Sequence, residues 1–399
     1  MRKLNKTAAC GILVAALAAG TLSGCSKAID GTKTVATVGD EKVTLGLASY
    51  MVRDQQAQTM SYYNMLMSQY GVSGSASNVW DQKGDDGKTV GESSKDGVMT
   101  TINQLYVLKA HAADYDVTIT DDEEKAIKEA AAEFIKDNDE KILKKLAVSE
   151  DDIVTYLELV TIRSKMHDPM TADVDTEVSA NEKDQTRVTI VKVSTEGTEK
   201  DDDGNTIDLT DEEKAQKKDL AQQVLDKVKA SDDVANADMD ALAKEVDDSL
   251  SATAPAFTTA GDTDDTLDEA VQDAALELKD GEVADKVIEG DDGYYVVRLD
   301  KMLDEDATEN KEKTVISERK SDLYDSTLED WVKEEKIKVK DKVWDQITVT
   351  DSASFVYKSA DSSDDTESSD AQDSTEDTSS QDNSEDTTTE DTAAEDSAE

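Results

Sequence analysis

The carboxylates of the stretch EKDDDGNTIDLT, residues 199–210, have the spacing most suggestive of chemistry in this chain. Glu199, Asp201 and Asp203 occupy the first, third and fifth positions of a calcium-binding loop, which takes oxygen ligands at alternating positions. The last position of such a loop needs a glutamate that binds through both oxygens, and Thr210 stands there instead. We therefore expect a solvated loop and no calcium site.

Residues that bind zinc, phosphate or nucleotides do not occur in the necessary groupings. The chain holds 2 cysteines and 2 histidines, and these do not cluster. It contains no glycine-rich phosphate loop, nucleophile elbow or dinucleotide fingerprint. We therefore predict that the protein uses no metal and no cofactor.

The charge balance is strongly acidic, with 93 Asp and Glu against 43 Lys and Arg and a formal net charge of -50. Phosphate backbones and anionic membrane surfaces bind patches of Lys and Arg, so we predict no nucleic-acid partner. Hydrophobic residues make up 37% and aromatic residues 4% of the chain, which predicts a modest, aliphatic core. The length of 399 residues is sufficient for two domains.

The first residues have the pattern of an export signal. The basic segment MRKLNK precedes an apolar run that is short for a membrane span, and LSGC follows it. LSGC resembles the bacterial lipobox, whose cysteine receives a diacylglyceryl group and becomes the first residue after cleavage. The resemblance implies a signal peptide at 1–24, lipidation of Cys25, a tether at 25–33 and a location on the outer face of the bacterial cytoplasmic membrane. The alternative is an ordinary signal peptide with a chance cysteine.

The opposite end of the chain is compositionally uniform. From Asp361 onward it contains no basic residue and no large apolar side chain. Such a segment cannot bury enough apolar surface to offset the entropy lost on ordering. We predict that residues 358–399 form a disordered acidic tail rich in Ser, Thr, Asp and Glu.

Between these ends the pattern is mainly helical at 34–183. A small hairpin, TVATVGDEKVTL, leads into the first long amphipathic pattern. Thr120 with Glu123, and Ser149 with Asp152, have the spacing of capping boxes that begin further helices. The methionine-rich stretch MSYYNMLMSQY at the end of the first long helix is typical of core, or alternatively of an adaptable client groove.

Residues 303–357 return to a helical pattern and end in a short alternating strand, KIKVKDKVW. Trp331 and Trp344 lie in this segment and Trp80 lies in a long loop of the first region. Because large aromatic side chains dominate packing, we predict that these tryptophans anchor their segments to the helical lobe.

Residues 184–302 have a different sequence pattern, in which strands and helices are mixed. Val188–Val193 alternates as a strand, two helical patterns and a loop follow, and another helix precedes a strand at Tyr294–Leu299. The predicted fold class is therefore α+β, with this unit between the N- and C-terminal parts of a helical lobe.

The α+β unit resembles a parvulin-type prolyl isomerase domain. TRVTIVKVSTE resembles a family strand of the form Ala-Arg-His-Ile-Leu-Val, and AALELKDGEVADKVIEGDDGYYVVRL resembles the family's closing segment. With the lipobox and the helical flanks, the chain resembles the PrsA-type foldase lipoproteins and, in architecture, the SurA-type chaperones. The resemblance implies that the Tyr294–Leu299 strand lies beside the Val188–Val193 strand.

The family carries two histidines in the centre of its sheet, and the resemblance puts Thr189 and Tyr295 at these positions. The family's Cys or Asp after the second helix falls on Asp248 or Ser249, and both assignments stay open. Substrate binding is implied for Phe257 and for Leu276, which replaces an aromatic residue. The hydroxyls of this set can form a polar network at a site, or can satisfy each other within a sheet.

The resemblance implies an extracytoplasmic, lipid-anchored foldase that binds unfolded or newly exported polypeptides. Peptidyl-prolyl isomerase activity is implied as well, but the loss of both histidines predicts that it is weak or absent. Both histidines of the chain, His111 and His167, lie in the helical lobe by this interpretation. Two alternatives stay open, namely a holdase that uses the α+β unit only for binding, and a solute-binding lipoprotein of an importer.

Overall fold

The computed structural model describes residues 16–19, 29–70, 79–197, 200, 206–260 and 267–357. Most of the predicted signal peptide, the predicted lipidation site Cys25 and the predicted acidic tail lie outside these residues. So do the first carboxylates of the loop at 199–210. Among the described residues, no helix is both long enough and apolar enough to cross a membrane.

The chain order is a helical region, an α+β unit and a second helical region. The first region contains β1 (Leu17–Ala19), β2 (Thr34–Val38), β3 (Glu41–Thr44), α1 (Leu45–Gln69), α2 (Val90–His111), α3 (Asp121–Asp137), α4 (Glu140–Leu146), α5 (Glu150–Met170) and α6 (Ala180–Lys183). The unit contains β4 (Gln185–Ser194), α7 (Asp211–Lys229), α8 (Met239–Lys244), β5 (Ala252–Thr253), β6 (Ala256–Thr258), α9 (Glu269–Leu276), β7 (Ile288–Glu289) and β8 (Gly293–Lys301). The last region contains α10 (Glu305–Glu334), β9 (Ile337–Val339), α11 (Asp341–Trp344) and β10 (Phe355–Tyr357). The predicted combination of a helical lobe with an α+β unit is confirmed.

Helix starts are set by local side chain to backbone hydrogen bonds. At α3 the Thr120 N–H donates to Glu123 Oε2 at 2.8 Å, and the Glu123 N–H donates to Thr120 Oγ1 at 3.3 Å. The capping box of Ser149 and Asp152 begins α5 in the same way. Both predicted boxes are confirmed, and each satisfies backbone donors that the first helical turn leaves free.

The two helical regions form one lobe through strands and aromatic side chains. β2 pairs with β3 and, on its other edge, with β9, so the returning segment completes a three-stranded sheet. Trp331 stacks on His111 with ring centroids 4.1 Å apart, and Trp344 is buried in the lobe core with Trp80. The predicted anchoring role of the tryptophans is confirmed.

Two sequence boundaries in the lobe are corrected. KIKVKDKVW is a strand only to Val339, because Asp341–Trp344 forms a helical turn. Residues 29–33 of the predicted tether lie against the lobe, where Ile29 packs on the core and the Gly46 N–H donates to the Gly31 carbonyl at 2.9 Å.

The methionine-rich end of α1 is not core. Met60 is buried, but Tyr62, Met65 and Tyr70 are 61%, 61% and 74% exposed. The preference for core at this stretch was therefore wrong beyond Met60, and the helix presents large apolar side chains to solvent.

The sheet of the α+β unit has the order β5-β4-β8-β7, and β6 also pairs with β4. Its strand pairs are antiparallel. β4 and β8 lie side by side as expected. The sequence predicted a loop where β5 and β6 occur, and these short strands pair with β4 on either side of Pro255, whose carbonyl accepts from the Val188 N–H at 3.1 Å.

Candidate functional site

The two strands that carry the predicted site have two differently covered faces. Thr189 lies opposite Arg298, and Lys192 lies opposite Tyr295, in a register without interruption between these pairs. Because side chains alternate along a strand, residues 189 and 192 point to opposite faces. Thr189 and Tyr295 are therefore separated by the sheet, and the single polar network considered from the sequence does not form.

The Tyr295 face is an apolar surface covered by α9. Its buried members are Val188, Ile190, Phe257, Val271, Ala275, Ala284, Ile288, Tyr295, Val297 and Leu299, with Leu276 partly buried against them. Of the predicted site residues, the structure brings together Tyr295, Phe257 and Leu276. Aligning the family strand on Arg187 places its histidine position at Val188, which shares this face.

One polar group lies within the Tyr295 face. The Tyr295 hydroxyl donates to Asp292, and the Lys192 ammonium pairs with the same carboxylate. Burial and the neighbouring Asp292 raise the pKa of Tyr295, while hydrogen bonds from Lys192 and from Tyr295 lower the pKa of Asp292. At neutral pH the site therefore holds a neutral phenol and a carboxylate.

Asp268 and Gly290 hold the turn against the ring of Tyr295. Asp268 caps α9 by accepting from the Ala270 N–H at 2.9 Å, and it also accepts from the Asp291 N–H at 2.6 Å. A Cβ at Gly290 would lie 2.3 Å from Asp268 Oδ2 and 2.9 Å from the Tyr295 ring. Glycine at this position is what allows the turn and the ring to approach so closely.

The Thr189 face is built differently, around an arginine. Thr189 Oγ1 donates to Asp300 Oδ2 at 2.6 Å and accepts from Arg298 Nη2 at 3.3 Å. Arg298 also donates to Asp300 at 2.7 Å and to the carbonyls of Val234 and Ala237 at 3.2 and 2.8 Å. Thr189 thus belongs to a group that ties β8 to the segment before α8.

The remaining predicted positions lie in the turn after α8. Asp248 and Ser249 are exposed, and the Ser249 hydroxyl donates to Asp247 at 2.6 Å. Neither has a described hydrogen bond to Tyr295 or Thr189. His111 and His167 lie in α2 and α5 of the lobe, as expected.

The sequence interpretation missed Lys192, Asp268 and Asp292. Lys192 could have been predicted from the alternation of side chains along β4, because it follows Val188 and Ile190 on the same face. Asp268 and Asp292 had no comparable signal, since each lies in a turn among many other acidic residues.

The arrangement is a closely packed apolar layer around one polar group, and it is poorly placed for efficient catalysis. Prolyl rotation needs no nucleophile. It is accelerated when water is removed from the amide and when hydrogen bonds stabilise the twisted amide more than the planar one. Tyr295 is only 4% exposed and its proton is donated to Asp292. A twisted prolyl amide offers hydrogen-bond acceptors and no N–H, so the Tyr295 hydroxyl can bond to it only by giving up its bond to Asp292.

Comparison with known families identifies part of this region. Residues 199–313 match the family model described as the PPIC-type PPIASE domain, Rotamase_2. The match begins after β4, extends into α10 and covers well under half of the chain. The predicted resemblance to the parvulin-type isomerases is thereby confirmed. No curated protein matches the chain.

Several solved structures are similar to the chain. The foldase protein PrsA from Lactococcus lactis is 14% identical with a TM-score of 0.31, over 78% of this chain and 96% of that one. PrsA from Bacillus cereus is 20% identical with a TM-score of 0.29, over 67% and 96%. One of the SurA-like chaperones of Campylobacter jejuni is 10% identical with a TM-score of 0.25, over 77% and 98%.

Proposed function

We propose that this protein is an extracytoplasmic foldase that binds unfolded exported polypeptides and accelerates prolyl isomerisation only weakly. The observation that carries the proposal is the Tyr295 face, where a PPIC-type region brings Tyr295 together with Phe257 and Leu276. The client binds beside the partly buried Leu276 at the edge of this face, and the Tyr295 hydroxyl stabilises a twisted prolyl amide by donating to it in place of Asp292. Thr189, Asp248 and Ser249 have no part in this step.

The exposed end of α1 supports the chaperone part of the proposal. Tyr62, Met65 and Tyr70 present apolar surface that solvent does not favour, and such patches commonly mark interaction sites. Unfolded chains expose apolar side chains of varied shape, which thioether and aromatic groups can accommodate.

We also propose that the chain is cleaved before Cys25, lipidated there and held on the outer face of the cytoplasmic membrane. The support is the register of basic segment, apolar run and LSGC. Mass spectrometry of the protein from bacterial membranes tests this. The expected product begins at Cys25 and carries a diacylglyceryl group, whereas a chain that retains residues 1–24 would contradict it.

A coupled prolyl-peptide isomerisation assay on the full chain tests the catalytic part, with Tyr295→Phe and Thr189→Val as matched variants. Uncatalysed exchange takes roughly tens to hundreds of seconds, so weak acceleration is measurable. We expect a small acceleration by the wild type and by Thr189→Val, and none by Tyr295→Phe. Equal loss in both variants would contradict the assignment to the Tyr295 face.

An aggregation assay on an unfolded client, run beside the isomerisation assay, tests the holdase alternative. Suppressed aggregation of an unfolded client with no acceleration by the wild type would favour it. The solute-binding alternative expects parallel sheets from repeated strand–helix units, whereas the described strand pairs are antiparallel. A screen of thermal stability against small solutes tests that alternative.

A further inference from the structure

Strand β10 pairs with strand β1, which comes from the start of the chain. Leu17–Ala19 pairs antiparallel with Phe355–Tyr357, with Leu17 opposite Tyr357 and Ala19 opposite Phe355. Among the described strands, β10 has no other partner. The paired segment lies within the apolar run of the export signal.

The place occupied by Leu17 is a built slot in the lobe core. Leu17 is 2% exposed and belongs to the same apolar cluster as Phe134, Leu146 and Phe355. Its backbone N–H donates to Asn138 Oδ1 at 2.9 Å. Asn138 is itself 7% exposed, and its Nδ2 donates to the Phe134 carbonyl at 2.8 Å, which orients the oxygen toward the strand.

Strand β10 forms one side of the slot, and contacts with α1 hold it in place independently of β1. Arg53 of α1 donates to the carbonyls of Thr348 and Ala353 at 2.9 and 3.1 Å, and its guanidinium lies 5.0 Å from the centre of the Phe355 ring. The Tyr357 hydroxyl donates to Asp54 at 2.9 Å. β10 is thus fixed to α1 by side chains of the mature region.

Cleavage before Cys25 would remove β1 from this slot, and the inference rests on that part of the proposed function. The backbone groups of β10 would lose their partners on one edge, and Asn138 Oδ1 would lose the Leu17 N–H. An apolar space shaped for a leucine would open beside them. Unpaired buried polar groups and open strand edges are unfavourable, so a replacement strand would bind there.

We propose that this slot in the mature protein binds an extended aliphatic segment of an exported polypeptide, which adds to β10 as an antiparallel strand. A leucine-sized side chain takes the place of Leu17, and the backbone N–H of that residue donates to Asn138. Backbone pairing supplies affinity with little dependence on sequence, and the slot selects the side chain. In the unprocessed chain, the protein's own signal segment fills the slot and excludes clients.

The test uses the full mature lipoprotein and a fluorescent peptide with the sequence VAALAAG, residues 14–20, flanked by lysines. Binding is followed by fluorescence anisotropy, and mass spectrometry establishes where each preparation begins. We expect saturable binding to the mature protein. The Cys25→Ala precursor, which retains its signal segment, is expected to bind at least about tenfold more weakly, because a tethered segment competes at high effective concentration.

Changes in the peptide test the contacts without altering the protein. N-methylation at Leu17 removes the donor to Asn138 and is expected to weaken binding about three- to tenfold. Leu17→Lys in the peptide is expected to weaken it by at least about tenfold, because the side chain no longer suits the apolar slot. The Asn138→Ala variant of the protein is expected to bind the methylated and unmethylated peptides with equal affinity. The control variant Asn310→Ala, changed at an exposed position, is expected to keep the wild-type difference in affinity between the two peptides.

Equal binding by precursor and mature protein, or equal binding of the methylated and unmethylated peptides by the wild type, would overturn the proposal. So would a mature protein that does not bind, or a membrane-bound chain that keeps residues 1–24. Isomerisation and aggregation assays on the same preparations report separately on the foldase function.

Discussion

The two faces of the β4–β8 sheet hold polar groups of similar composition in different surroundings. Each has a carboxylate, a cation and a hydroxyl, which are Asp300, Arg298 and Thr189 on one face, and Asp292, Lys192 and Tyr295 on the other. In the Thr189 group, Arg298 donates hydrogen bonds to the backbone carbonyls of Val234 and Ala237 in a neighbouring segment. The Tyr295 group lies within an apolar surface that also holds Phe257 and Leu276. The contrast teaches that position on a face, rather than residue type, separates a structural group from a candidate site.

The largest expected effect comes from removing the arginine of the Thr189 face. Arg298→Met removes the arginine's hydrogen bonds to Asp300 and to the carbonyls of Val234 and Ala237. We expect the free energy of unfolding to fall by about 3 kcal/mol, as for a broken, mostly buried ion pair. Denaturant unfolding measures it, with exposed Lys301→Met as the control. A loss below about 1 kcal/mol would mean that this face is not held together by its arginine.

The next effect tests the packing of the Tyr295 face. Gly290→Ala forces a Cβ against Asp268 and the Tyr295 ring, and we expect a loss of about 1–3 kcal/mol in unfolding free energy together with weaker client binding. Gly97→Ala is the matched control, because a Cβ at this helical position meets nothing within 4 Å. The control is expected to gain about 0.5–1 kcal/mol. A tolerated Gly290→Ala would show that the ring has room to move.

The separation of the faces predicts independent energetics. In a double-mutant cycle, Thr189→Val and Tyr295→Phe are expected to be additive within about 0.5 kcal/mol. Asp292→Asn and Tyr295→Phe remove the same hydrogen bond and are expected to be clearly non-additive in unfolding free energy. Coupling between Thr189 and Tyr295 would contradict the two-face description.

The smallest effect is a dependence on pH. The folded state lowers the pKa of Asp292, so its stabilising contribution is present above the ordinary carboxyl pKa and is lost as the pH falls through the lowered value. The difference in unfolding free energy between wild type and Asp292→Asn is therefore expected to shrink as the pH falls below about 4. It is expected to stay under about 1 kcal/mol, since Lys192 and Asp292 are 36% and 43% exposed. A difference that grows in acid would contradict the assignment.

The choice between Val188 and Thr189 for the first histidine position decides on which face of the sheet that position lies. Thr189 and Val188 are neighbours in the sequence, but a shift of one residue along a strand reverses the face. The local match on Arg187 favours Val188, whereas the face on which each residue lies is fixed by hydrogen bonds to a strand more than a hundred residues away. The positions of Phe257 and Leu276 on the Tyr295 face could be predicted with a less precise alignment, because each is an apolar residue in a short element that packs on this face.

Features that depend on near neighbours could be predicted from the sequence. These include the capping boxes at Thr120 and Ser149, the strand at Tyr294–Leu299 and the helices of the α+β unit. Each rests on interactions within a few residues, which a local pattern records. The hydroxyl that joins Phe257 and Leu276 and the strand that pairs with β10 could be identified only from the three-dimensional fold. Those outcomes depend on contacts between distant segments, where many pairings suit the same apolar pattern and only packing of the whole lobe selects one.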